Sequence, residues 1–292
     1  MRYTLTLYNG LFNANLIYPR SEQGARFMSD DSEYQELLPN SDLQKRQEYW
    51  DVAKGLQKVD GLQTSDYLET VIRDTIDGKY GTAQAASIVE SYYKESPAAD
   101  AATREADIVS ARIAAYLEID DFLMSPVMLL GIHRTLFQGV YADSWVGVTR
   151  SADFGKAEPA LGGKSVAYGH WRFIEEALGH EFQEERKKTY GLPFSLASLN
   201  SLSQFISALW EIHPFREGNT RTIAVFTIKY LRRLGVDIDN TPFERSAQWF
   251  RDALVLNWAG NKFYLNLFFE NIAIGTRHDL GKYNLRDSAP EN

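Results

Sequence analysis

From Asp42 to residue 274, apolar side chains return at helical spacing in segment after segment, and this periodicity restricts the chain to a mainly α fold. In SDLQKRQEYWDVAKGL, Leu43, Tyr49, Trp50 and Ala53 fall near one face, and Gly55 is the expected stop. SDYLETVIRDTIDG follows with Ser65 as N-cap, an apolar stripe of Tyr67, Leu68, Val71, Ile72 and Ile76, and Gly78 as C-cap. A third helix, TAQAASIVESYYKE, runs up to SPAADAATRE, whose proline and small residues predict a boundary near residue 97. EADIVSARIAAYLE and SPVMLLGIHRTLFQGVY then repeat the pattern, the second opened by Ser125 with Pro126 at its first position. Helix lapses over VGVTRSADFGKAEPALGGKSVAYGH, where glycines and short β-branched runs predict a loop and a small hairpin. WRFIEEALGHEFQEERKK, SLASLNSLSQFISALWEI and TRTIAVFTIKYLRRLG resume the period, the last closing on Arg232, Arg233 and Gly235. Two more helices are expected, near 243–258 and 261–274.

Composition narrows the function classes. A length of 292 residues suits one large domain or two modest ones. The absence of cysteine excludes disulfides, thiolate catalysis and cysteine-held metal. A net charge of -8 argues against a broad basic face for nucleic acid. No run reaches the length of a membrane span, and Asn9, Asn13 and Asn15 interrupt what a signal peptide would need, so a cytoplasmic protein with no nucleic-acid or membrane partner is expected. Residues 1–41 alternate weakly and read as an extension with a short strand or hairpin.

Three patterns fail as chemical motifs. GGKS at 162–165 would need a glycine at Glu158 to be a phosphate loop. HEFQE at 180–184 lacks the second histidine of a zinc site, and His133 has no sequence partner and reads as packed or capping. HPFREGNTRT, residues 213–222, is coherent instead. His213 ends one helix, where the negative end of the dipole favours the imidazolium and hence a stronger base. EGNT opens the next helix, whose first amides form an anion site that Gly218 lets a ligand approach. Arg216 and Arg221 can add charge near phosphate, Arg221 the better placed because it lies in the first helical turn; magnesium would reconcile Glu217 with an anion.

The segment closely resembles the Fic family signature HxFx[DE]GN[GK]RxxR at His213, Phe215, Glu217, Gly218, Asn219 and Arg221. IHRTLF, VGVTR and GGKSVAYGHWRFIEEAL resemble that family's core helix and flap. The resemblance implies a helical-bundle core with a small β-hairpin flap over residues 98–292, and transfer of AMP from ATP to a Ser, Thr or Tyr hydroxyl of a target protein. It makes His213 the general base, Phe215 a buried anchor and Glu217 the magnesium ligand. Gly218, Asn219 and Thr220 would cradle phosphates and Arg221 would neutralise the leaving pyrophosphate, while Lys164, Ser165 and Val166 in the flap align the target segment by strand addition. Self-modification and a homo-oligomer are compatible with it.

Two departures from the signature stand out: Thr220 replaces Gly or Lys, and the final arginine falls on Ala224. Residues 42–97 resemble the small antitoxins that accompany Fic proteins, LQKVDG at 56–61 taking the place of their inhibitory motif, with Asp60 and Gly61 where Glu and Gly or Asn are usual. Because Ala224 offers no arginine, Asp60 is expected to lack a partner, so that its removal changes little. Transfer of another phosphate-containing group, or nucleotide binding without turnover, stays open beside AMP transfer.

Overall fold

Helix follows helix as the apolar spacing requires: α1 (Asn40–Gln57), α2 (Asp66–Ile76), α3 (Thr82–Glu95), α4 (Arg104–Glu118), α5 (Pro126–Phe137), α6 (Ile174–Arg186), α7 (Leu196–Ile212), α8 (Asn219–Arg233), α9 (Thr241–Trp258) and α10 (Phe263–Ala273). The computed structural model describes residues 40–95 and 102–286. The expected N-terminal hairpin and the boundary near residue 97 lie outside the described residues.

Gly55 does not stop α1, which continues to Gln57. It is instead the point of closest approach to α9, where a Cβ would lie 2.5 Å from the carbonyl oxygen of Phe243. Trp50, Val52, Ala53 and Leu56 are fully buried, and α1 packs against both α4 and α9. The helix then tightens into a 3-10 turn, Lys58–Asp60, that Gly61 ends in the left-handed region (φ 72°) with its N–H donated to Lys58. Packing of α1 thus decides where Asp60 points.

Three segments meet on one buried carboxylate. Ser65 caps α2 by accepting from Leu68 N–H, and its own N–H and hydroxyl donate to Asp107 of α4 at 2.9 and 2.5 Å. Tyr93 of α3 donates to the same Asp107 at 2.7 Å. A buried charge is tolerated only when it is so satisfied, and the three bonds fix α2 and α3 on α4.

The α7–α8 pair forms the centre. Every residue of α8 from Asn219 to Leu231 is buried. This exceeds the amphipathic stripe of a surface helix and makes α8 the axis around which α5, α7, α4 and α1 are arranged. Between α5 and α6 the expected hairpin is not formed as strands. Among the described residues there is one antiparallel bridge, Ala157 with Ser165, around a 3-10 turn Pro159–Leu161 closed by Gly162 at φ 62°. Gly162 and Gly163 are both left-handed, and the segment's bonds go to side chains as much as to a ladder, as in Ser165 Oγ accepting from Lys156 N–H at 2.9 Å.

Replacing Gly55 with alanine should lower stability by roughly 1–3 kcal/mol, because the methyl group must push α1 off the backbone of α9 rather than off a side chain that can turn aside. Chemical denaturation of the G55A chain checks this.

Candidate active site

The loop between α7 and α8 is folded by its own residues. His213 takes the left-handed conformation, φ 51° and ψ 62°, and is the one non-glycine residue among those described with positive φ. Such a residue carries strain that its surroundings must offset. Arg150 does so. Its Nε donates to the His213 carbonyl at 2.8 Å, its Nη2 reaches the carbonyls of Ile212 and Gly169, and its backbone N–H donates to Pro214 at 2.8 Å. The guanidinium therefore occupies the carbonyl end of α7.

Further on, Phe215 is fully buried and stacks on His133 with ring centroids 3.9 Å apart. Gly147 N–H donates to His133 Nδ1 at 2.9 Å, so the proton is on Nε2, which donates to the carbonyl of Glu217 at 3.0 Å. The Asn219 side chain closes the loop on Phe215, accepting from its N–H at 2.9 Å and donating to its carbonyl at 2.7 Å. Gly218 is left-handed (φ 75°), and any Cβ would sit 2.5 Å from the Phe137 ring. The first hydrogen bond of α8 runs from Thr222 N–H to Gly218, so the amides of Asn219, Thr220 and Arg221 form the open first turn.

These elements enclose a cavity of about 380 Å³ lined by Asp60, Phe154, Gly155, Lys156, Tyr168, Trp210, His213, Arg216, Glu217, Gly218, Asn219, Thr220 and Arg251. It brings His213, Glu217, Gly218, Asn219 and Thr220 together with Asp60, which is more than 150 residues away in sequence. Thr220, the departure from the signature, accepts from the indole N–H of Trp210 at 3.1 Å and so ties α8 to α7 beside the imidazole. The flap residues Lys164, Ser165 and Val166 are not among the lining; Val166 is core, and the segment contributes Phe154, Gly155 and Lys156 in their stead. Gly61 lies outside this cavity.

Electrostatics alters two expectations. His213 is not made a stronger base by the helix end: its pKa is lowered to about 3, by burial first and then by Arg150, against a backbone bond to Trp210. The carbonyls that would have favoured the imidazolium are already neutralised by that guanidinium. Likewise, Arg221 is 1% exposed and lies behind the cavity lining, while Arg216 faces it, stacked 4.0 Å over Trp145. Arg221 pairs with Asp60 at 2.9 Å and with Glu105 at 2.7 Å, and donates to Gln57 and Tyr141 at 2.9 and 2.8 Å. Burial opposes its charge, and Asp60, Tyr141 and Glu105 outweigh burial, so its pKa is raised. Asp60 thus has an arginine partner after all, one turn before position 224.

Glu217 is exposed and lines the cavity, whereas no cluster of three or more acidic or histidine groups able to hold a metal alone occurs among the described residues. One carboxylate with ligand phosphates is how magnesium is commonly bound, so Glu217 fits that ion and no all-protein metal site is present among them.

Residues 123–231 match the Fic/DOC family. Over 136 residues the chain is 31% identical to the probable protein adenylyltransferase y4lH of Sinorhizobium fredii (strain NBRC 101917 / NGR234), covering 44% of this chain and 63% of that relative's length. A Fic family protein from Desulfovibrio desulfuricans G20 shares the fold at TM-score 0.52, with 16% identity over 84% of this chain and 64% of that one. BepC from Bartonella tribocorum, solved with bound AMPPNP, is similar at TM-score 0.45 and 19% identity over 58% of this chain and 86% of its own.

Sequence reasoning missed Arg150, Glu158, Tyr168 and Arg251. Arg251 alone left a signal, as a cation on the buried stripe of α9 between Ala247 and Val255. Both histidines that pack at the site, His213 in the loop and His133 on α5, stay neutral in the fold, His133 at about 4 because burial lowers it. Between those values and the unfolded value near 6.5 the unfolded chain binds more protons, so their contribution to stability is complete above about pH 7 and is lost as pH falls. Going from pH 7 to 4.5 should cost roughly 2–3 kcal/mol per histidine, and His213→Ala should lose correspondingly less than the parent chain in thermal melts at the two pH values.

Proposed function

We propose that the chain transfers AMP from ATP to a Ser, Thr or Tyr hydroxyl of a target protein. The observation that carries this is the union, on one cavity, of an imidazole held unprotonated and the open first turn of α8. The α8 amides and the helix dipole would bind the phosphates, with Arg216 and Lys156 adding charge at the rim. The hydroxyl oxygen bonds to the α-phosphorus as the bond to the bridging oxygen of the β-phosphate breaks. The hydroxyl proton passes to His213, and pyrophosphate leaves. Burial makes His213 a weak base but keeps it neutral throughout the physiological range, so it is always ready to accept. Magnesium, which Glu217 would hold, neutralises phosphate charge when bound. Tyr168, stacked on His213 at 3.8 Å, and Arg150 fix the ring's plane. The bridge-bearing segment of Lys164, Ser165 and Val166 would dock the target's backbone, its own self-modification included, from the exposed side of the flap.

Residues 42–97 would act as the antitoxin-like regulatory module, and Asp60, projecting from it into the cavity wall, would hold Arg221 away from ligand. The second reading, nucleotide binding without turnover, is favoured by Ala224, which is fully buried and offers no cation, together with the four partners that engage Arg221.

His213→Ala should abolish transfer of α-phosphate label from ATP to protein while leaving ATP binding within a few-fold of the parent; label that survives the substitution rules out this mechanism, and binding without transfer in the parent favours the second reading. Asp60→Ala should tighten ATP binding about tenfold by calorimetry, since it removes a negative charge from the cavity wall. An unchanged affinity would mean that residues 56–61 do not obstruct the site.

A further inference from the structure

Ala224 is fully buried and offers no cation, and Arg221 is engaged by four partners, so α8 presents no free cation to the outer phosphates of a nucleotide. The cavity holds another. Arg251, on α9, lines it, and its side chain is 11% exposed. Nη2 donates to both Glu158 oxygens, at 2.8 and 2.9 Å, and Nη1 donates to the carbonyl of Val59 at 3.3 Å. Those bonds engage two of its three nitrogens. Nε and one Nη1 hydrogen have no partner among the described residues.

We propose that Arg251 recognises the β- and γ-phosphates, taking from α9 the part that α8 cannot play at Ala224. Glu158 fixes the guanidinium while being fully buried itself, and it also accepts from the Tyr168 hydroxyl at 3.2 Å. Tyr168 in turn stacks on His213. Base and guanidinium are therefore mounted on one scaffold, Arg251 to Glu158 to Tyr168 to His213, which sets their separation. The other cations that line the cavity are held less firmly: Lys156 is exposed on the loop, and Arg216 is exposed, with its guanidinium laid over Trp145 and Phe154. Arg251 is held by Nη2 against both oxygens of Glu158 and by Nη1 on Val59, and is pre-organised, so little side-chain entropy is lost when a phosphate arrives. Asp60 and Val59, from the 3-10 turn, sit beside it, and Asp60 contributes to holding it charged. Of the described groups facing Arg251, Glu158 and Asp60 are acidic, and Tyr168 is neutral with its pKa raised by burial.

This inference rests on the nucleotide reading above, and calorimetric titration of the full chain with ATP, ADP and AMP, each with magnesium, separates the two. The parent should bind ATP more tightly than AMP. Arg251→Gln should weaken ATP about ten- to a hundredfold, as loss of a charge-assisted phosphate contact does, and leave AMP within about twofold. Because Arg251→Gln strands the buried Glu158 carboxylate and so destabilises the fold, the double variant Glu158→Gln/Arg251→Gln, which removes both charges, is titrated beside it after a melting curve. Arg251→Lys, which keeps a charge opposite Glu158, should fall between. An equal loss for ATP and AMP, or none, overturns the assignment and leaves Arg251 a scaffold residue. A parent chain that binds AMP as tightly as ATP overturns it without any variant. A parent that binds none of the three removes the nucleotide reading itself.

Discussion

Everything at the site depends on the grip of Arg150 on the end of α7. One guanidinium satisfies carbonyls of Ile212, His213 and Gly169 and reaches Asp153 at 3.1 Å, while the same residue's N–H holds Pro214. A helix end buried without such a partner would leave several acceptors unpaired at about 1–3 kcal/mol each. The same contact keeps His213 in its left-handed turn and, by placing a fixed positive charge beside the ring, adds to the burial that keeps the imidazole neutral. One side chain thus holds the loop's geometry and reinforces the protonation state that burial imposes.

The second constraint is that α8 is buried on all sides. A helix in that position cannot present its polar residues to water, so each must find a partner inside. Asn219 turns back on Phe215, Thr220 meets Trp210, and Arg221 collects acceptors from α1, α4 and the 3-10 turn. Its first-turn amides and the Thr222 hydroxyl are left over. The motif is in this sense a solution to burial as much as to ligand binding.

Much of this was legible in the sequence. Helix limits followed from apolar spacing and caps, as with Ser65, Ser125 and Pro126, because those signals are local. The loop that carries His213, Glu217 and Gly218 was legible for the same reason. What stayed hidden was long-range. Arg150 acts on a carbonyl 63 residues away, and Arg251 on a carboxylate 93 residues away, in partnerships that leave no periodicity. The sign of the His213 shift was missed because a helix dipole can be read from sequence, whereas the burial of the ring and the guanidinium beside it cannot. Gly55 was misjudged because a glycine that ends a helix and one that admits a neighbouring backbone look alike until the neighbour is known.

The cavity wall draws on Asp60 before the Fic segment and Arg251 after it, while that segment spans residues 123–231. Cut out by itself, it would keep the base and the phosphate turn but strip Arg221 of Asp60, Gln57 and Glu105, and deprive Glu158 of Arg251. Two buried ions of opposite sign would be widowed at once. The signature is therefore not a portable cassette: in this chain its electrical neutrality is completed by flanking helices that the motif itself does not encode.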